Sequence, residues 1–121
     1  MHELSICQAI VAQVERIAAE RGARAVGVVK VLIGPLAGVE PALLAHAFPL
    51  ACAGTRAADA VLALEVAPIK VRCRSCGAET EARINQLVCG ACGDWNTQIL
   101  SGDELLLASV ELELQEVTED V

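Results

Sequence analysis

Two C-x-x-C pairs, Cys73/Cys76 and Cys89/Cys92, stand twelve residues apart, and each runs into glycine, Cys76-Gly77 and Cys92-Gly93. No other feature constrains the chain as strongly. Each pair makes a short turn that presents two thiolates to one point, and two such turns supply the four-sulfur tetrahedral shell that a structural Zn²⁺ takes. Glycine after each pair lets the backbone turn tightly enough for its N–H groups to face the sulfurs. A closed four-sulfur shell leaves no open position, so this metal is expected to hold structure and do no chemistry.

Disulfides are the competing use of such cysteines. The opening Met1-His2-Glu3 has neither a basic nor an apolar leader segment, so the sequence reading expects no export, reduced thiols and a cytoplasmic protein. A thioredoxin-like redox pair needs one C-x-x-C at the start of a helix after a strand, whereas here two pairs lie in a turn-rich stretch.

The chain has 121 residues, enough for one domain carrying a small insertion. Hydrophobic residues make up 55%, yet the only aromatics are Phe48 and Trp95, so Val, Leu, Ile and Ala must build the core. No apolar run is long enough to cross a bilayer. The net charge of −7 sits at the end: residues 1–100 carry nine acids and nine bases, and residues 101–121 carry seven acids and no base. An acidic chain with two aromatics lacks the basic footprint and stacking platform of a nucleic-acid binder. Lys70, Arg72 and Arg74 around the first pair read as compensation for the charge of a metal–tetrathiolate, about −2.

Residues 4–21 read as a helix, with Leu4, Cys7, Val11, Val14 and Ala18 on one stripe, Ile6, Ile10 and Ile17 widening it, and Gly22 as its stop. Residues 25–34 read as a buried strand ended by Gly34-Pro35. A second helix starts near Val39 with Pro41 in its first turn and Leu43, Leu44, Ala47, Phe48 and Ala51 as its apolar side; Pro49 predicts a kink or break at 48–49. Residues 60–67 form a second strand. Residues 105–115 alternate, with Leu106, Ala108, Val110, Leu112 and Leu114 expected inside. The expected architecture is α+β: two helices on an antiparallel sheet, residues 1–68 plus 95–121, with an inserted zinc-ribbon-like module at 69–94.

The amino terminus is a second metal-site candidate. The α-amine of Met1, the imidazole of His2 and the backbone nitrogen between them form fused chelate rings that lie nearly in a plane. Glu3 can close the fourth position through its backbone nitrogen or its carboxylate. A planar nitrogen or nitrogen–oxygen set suits Ni²⁺ or Cu²⁺ better than Zn²⁺. The helical pattern begins at Leu4, which ties this terminus to a helix. Cys7, one turn after Glu3, could reach a metal there; as residues on the apolar sides of the helices, Cys7 and Cys52 read as small hydrophobes. His46 reads as a partly exposed helix histidine.

The opening Met-His-Glu-Leu-Ser, the Val-Glu-Arg-Ile-Ala stretch at 14–18, Ile33-Gly34-Pro35-Leu36-Ala37-Gly38-Val39-Glu40, the cysteines and Gly102-Asp103-Glu104-Leu105 resemble, in order, the HypA/HybF nickel metallochaperones of [NiFe] hydrogenase assembly. The resemblance implies a nickel-binding domain with an inserted zinc domain. It implies nickel at Met1, His2 and Glu3, and zinc at Cys73, Cys76, Cys89 and Cys92. It also implies two partners, the hydrogenase-maturation GTPase and the hydrogenase large-subunit precursor. The expected protein is no enzyme, with no membrane span, a monomer or weak homodimer, delivering nickel to hydrogenase or also to urease. The alternative is a zinc-ribbon adaptor that binds proteins and no second metal. Neither a nucleophile–base pairing nor a phosphate-binding loop supports an enzyme.

Overall fold

The computed structural model describes residues 2–114. The elements run α1 (His2–Glu20), β1 (Ala23–Ile33), α2 (Pro41–Cys52), β2 (Val61–Val66), β3 (Ile69–Cys73), β4 (Glu79–Ala82), β5 (Thr97–Ser101) and β6 (Leu105–Leu114). Two three-stranded sheets result, ordered β2-β1-β6 and β4-β3-β5. The fold is α+β. The chain forms two compact units. One contains α1, β1 as far as Val31, Glu40–Ala63 and β6 from Leu107; the other contains Leu32–Val39 and Leu64–Leu106. The second unit is larger than the 69–94 segment that the cysteine spacing marks out.

In the first unit the two helices pack on each other. Cys7, Ile10, Val11, Val14 and Ala18 are buried on α1, a stripe at helical spacing, and α1 ends before Gly22 as expected. Leu44, Phe48 and Cys52, four apart, are the buried residues of α2. Fully burying an aliphatic or aromatic side chain of this kind contributes about 1.5–3 kcal/mol. Leu43, expected inside, is 52% exposed, because it lies about 100° round the helix from Leu44. The helix also runs through Pro49 rather than breaking there. Proline removes the N–H that would bond the Ala45 carbonyl. Ala45 and Pro49 both lie on the exposed face, where water can satisfy that carbonyl.

A carboxylate on α1 fixes the loop that follows α2. Glu15 accepts hydrogen bonds from the Arg56 backbone N–H at 2.7 Å and the Arg56 guanidinium at 2.8 Å. The Arg56 carbonyl in turn accepts from the Val26 N–H of β1 at 2.9 Å. Both side chains are partly exposed, so the pair is screened. We expect Glu15→Ala to lower stability by about 1 kcal/mol, read from denaturant midpoints; a double-mutant cycle with Arg56→Ala should show the two losses to be non-additive.

β6 does not follow the expected alternation. Leu105, Leu107, Val110 and Leu112 are half-buried, while Leu106 and Leu114 are 46% and 61% exposed. The strand starts in one unit and ends in the other. Gln115, at the end of the expected strand, lies outside the described residues.

In the second unit β3 is the central strand, antiparallel to β4 and β5. Its pattern alternates strictly, with Ile69, Val71 and Cys73 buried and Lys70 and Arg72 exposed. Two glycines make this unit close. A Cβ on Gly34 would lie 2.0 Å from the Gly102 carbonyl oxygen, and a Cβ on Gly102 would lie 2.8 Å from the Ile69 side chain. The Gly34 N–H donates to the Glu104 carbonyl at 2.7 Å, and the Leu36 N–H to the Gly102 carbonyl at 2.7 Å. The Glu104 carboxylate folds back to accept from the Gly102 N–H at 2.7 Å.

Candidate metal centre

The chain brings Cys73 from the end of β3 together with Cys76, Cys89 and Cys92 from two loops. Their four sulfurs all lie within 4.8 Å of one another. Cys73 and Cys92 are 3.6 Å apart, as are Cys76 and Cys89. A disulfide has its sulfurs near 2.05 Å, and all four cysteines are free. Tetrahedral thiolates on a zinc at about 2.3 Å stand about 3.8 Å apart. The spacing therefore fits a four-coordinate metal and not a pair of disulfides.

The two C-x-x-C turns are built alike. Gly77 N–H donates to the Cys73 carbonyl and Gly93 N–H to the Cys89 carbonyl, each at 2.9 Å, and both glycines have φ of 77°. That conformation is costly for a residue with a Cβ, which is why glycine follows each pair. The tight turn aims backbone donors at the sulfurs. Cys76 N–H reaches the Cys73 sulfur at 3.3 Å, Ala91 N–H the Cys89 sulfur at 3.3 Å, and Cys92 N–H the same sulfur at 3.4 Å.

These donors polarise the cluster. The Cys76 N–H holds the Cys73 thiol below the usual thiol range, and the Cys92 and Ala91 N–H groups bring Cys89 down to about 6. Cys76 and Cys92 go the other way. The N–H groups of Ala78 and Asp94 pull them down, but the neighbouring cysteine sulfurs outweigh this, and Cys92 is pushed up to about 12. One sulfur of each turn thus ionises more easily than a free thiol, and the second is restrained by its cysteine neighbours. A divalent cation at the centre removes that restraint.

Further residues tie the shell together, and none was read as functional from the sequence. The Ser75 hydroxyl donates to Asp94, joining the first turn to the residue after the second. Ser75 and the Asn96 N–H together hold the Asp94 carboxyl below its usual range. Thr80 accepts from the Gly90 N–H at 2.8 Å. Small polar residues beside cysteines carry no sequence signal of their own, because their partners are far along the chain. Arg72, expected to offset the charge of the shell, is instead bonded to Glu79 across the β3–β4 pair.

At the other candidate site, Met1 lies outside the described residues. His2 opens α1, and its Nε2 lies 2.8 Å from a carboxylate oxygen of Glu3. The His2 side chain is 61% exposed and that of Glu3 only 16%. Cys7 is fully buried, with its thiol directed at the Leu44 carbonyl at 3.4 Å, and burial first and Glu3 second raise it. It is a core residue of the helix pair. Burial likewise pushes the Cys52 thiol up to about 11, with Cys7 adding to the effect. His46 is exposed on α2.

A helical pair with its own sheet, followed by a ribbon that gathers four thiols in paired turns, defines a small α+β metal-binding protein. Residues 1–112 match the family described as hydrogenase/urease nickel incorporation, metallochaperone, hypA. The chain belongs to this HypA family. It is 52% identical over 112 residues to the hydrogenase maturation factor HypA of Nitrosospira multiformis, covering 93% of this chain and 97% of that one. To the protein of the same name from Aquifex aeolicus it is 44% identical over 114 residues, 94% and 99% of the two chains. Among solved structures, a solution structure of a HypA protein superposes with a TM-score of 0.73 at 26% identity over 95% of this chain and 98% of the other. The fold is shared as well with the nickel metallochaperone HypA of Helicobacter pylori, at a TM-score of 0.68, 24% identity and coverage of 93% and 98%. No helix among the described residues is long and apolar enough to cross a membrane.

Proposed function

We propose that this chain carries Ni²⁺ at Met1, His2 and Glu3 and hands it on during assembly of [NiFe] hydrogenase, while Zn²⁺ held by Cys73, Cys76, Cys89 and Cys92 keeps the ribbon folded. The observation that carries this reading is the family match, which begins at residue 1 and runs through both candidate sites. The zinc assignment rests on donor chemistry. Four thiolates at these separations suit a soft or borderline cation, and the closed shell gives it a structural role.

The start of α1 suits a cargo ion for a different reason. The first N–H groups of a helix have no intrahelical acceptor, so an amide there can give up its proton and bind a metal through nitrogen without breaking a helical hydrogen bond. The imidazole of His2 is open to solvent, which leaves a side from which an acceptor's ligands can displace the ion. A buried cage holds its ion too firmly for such exchange. The implied recipients are the hydrogenase-maturation GTPase and the large-subunit precursor, with urease as a further destination, and the setting is the cytoplasm. The chain is read as a carrier rather than an enzyme, acting as a monomer or weak homodimer. No particular observation favours the adaptor reading.

The test is nickel titration of three zinc-loaded proteins: native, His2→Ala, and native with one residue added before Met1. Both altered proteins should bind nickel at least about 100-fold more weakly, a loss of about 2.7 kcal/mol. Native affinity in the extended protein would remove the terminal site from consideration.

A further inference from the structure

The four sulfurs are not equivalent. Cys73 and Cys89 are 1% and 2% exposed, whereas Cys76 and Cys92 open to solvent. The sulfur of each exposed cysteine lies 3.6 Å from that of a buried cysteine of the opposite turn, Cys76 beside Cys89 and Cys92 beside Cys73. A cysteine open to solvent, kept as thiolate by the metal and with a second thiolate in reach, is the arrangement that turns oxidation into a disulfide rather than into damage. We propose that Cys76 and Cys92 are a hydroperoxide-reactive modification site, and that its product is a pair of disulfides between the turns, Cys76–Cys89 and Cys73–Cys92. The proposal rests on the metal–thiolate reading of the cluster given above.

The chemistry balances with a hydroperoxide as the oxidant. The Cys76 thiolate attacks one peroxide oxygen; an S–O bond forms, the O–O bond breaks, and the other oxygen leaves as hydroxide. Sulfur has lost two electrons and is now a sulfenic acid. The Cys89 thiolate then attacks that sulfur; the S–S bond forms and the S–O bond breaks, releasing a second hydroxide. Both hydroxides take protons from solvent. A second equivalent of peroxide repeats the sequence from Cys92 to Cys73. Four thiolates become two disulfides, and the metal has lost its ligands.

The choice of partners follows from position. Closing a 3.6 Å gap to about 2.05 Å takes a movement of about 1.5 Å per pair. Each turn is meanwhile braced by its own Gly N–H to Cys carbonyl bond and by N–H groups directed at the buried sulfur. Bonds between turns leave that bracing in place and tie together the same two loops that the metal tied. The ribbon then keeps its shape after losing its ion, and a thiol reductant restores the binding set. Cys7 and Cys52 serve as internal controls, because both are buried and held as thiols.

Trypsin makes the pairing visible, since cleavage after Arg72, Arg74 and Arg83 puts Cys73, Cys76 and the Cys89/Cys92 pair on three different peptides. Metal analysis first establishes that the purified protein holds zinc, which tests the metal reading separately. The protein then receives two equivalents of hydrogen peroxide with a chromophoric zinc indicator, followed by alkylation and non-reducing digestion. The expected result is zinc release together with one three-peptide species. Fragmentation at Gly90 and Ala91 should assign Cys89 to the Ser75–Arg83 peptide and Cys92 to the Cys73-Arg74 dipeptide, with Cys7 and Cys52 alkylated only after denaturation. A dipeptide linked solely to Ser75–Arg83, the opposite assignment of Cys89 and Cys92, sulfinic acids in place of disulfides, or zinc retained with all thiols intact would each overturn the proposal.

Discussion

Stripping the zinc from the purified protein should collapse the ribbon unit and leave the two-helix unit folded. The reason is the thinness of the ribbon core. Apart from two cysteines, its buried side chains are Ile33, Ala67, Ile69 and Val71. Three larger aliphatic side chains are too few to order the stretch from Leu64 to Leu106 unaided. Structural zinc in small metal-dependent folds supplies about 10–16 kcal/mol. The helical unit holds a denser set, with eight buried residues on α1 and α2 together. Amide spectra should therefore lose the dispersion of residues 69–101 while far-UV ellipticity from the helices persists. Trp95, the sole tryptophan, is 84% exposed and lies just beyond the second turn, so its emission offers a second reading. Unchanged ribbon amide signals in a protein shown to be metal-free would contradict this account. Cys73→Ser should reproduce the collapse without a chelator, because it removes a buried sulfur that receives a backbone hydrogen bond.

The second large effect is Gly34→Ala. Nothing in its backbone conformation demands glycine; the demand is for space. The added methyl group would stand 2.0 Å from the Gly102 carbonyl oxygen, 2.2 Å from the carbonyl carbon and 2.8 Å from the Asp103 nitrogen. All three are backbone atoms, so no side chain can swing aside. Those same backbone segments exchange the hydrogen bonds of Gly34 and Leu36, and moving them apart loses both bonds. We expect a cost of about 3 kcal/mol or more and a thermal midpoint lower by roughly 10 °C or more. Gly27→Ala is the control: its Cβ would meet only the Glu111 carbonyl oxygen at 3.7 Å, an ordinary contact, and its stability should change by no more than about 0.5 kcal/mol. Equal effects at the two positions would show that crowding at Gly34 is not what matters.

Local pattern carried much of this protein. The helical stripe from Cys7 to Ala18, the stop at Gly22 and the strand before Gly34 were legible because spacing of 3.6 or 2 residues is set by the backbone itself. The ribbon strands were not. β4 and β5 are four and five residues long, with little buried surface of their own, and only pairing with β3 makes them strands. Pro49 leaves α2 unbroken for a related reason: the hydrogen bond it removes falls on the exposed face.

The sequence by itself determined the sulfur shell, because two short turns of fixed spacing can meet at one point whatever surrounds them. It determined also that His2 stands at the head of an amphipathic helix. Only the tertiary structure decided which two cysteines are open to solvent, that Ser75 and Asp94 bind one turn to the other, and that Gly34 must admit the Gly102 carbonyl. Each of these is a relation between residues distant along the chain, and such relations are fixed by packing, which no local pattern encodes.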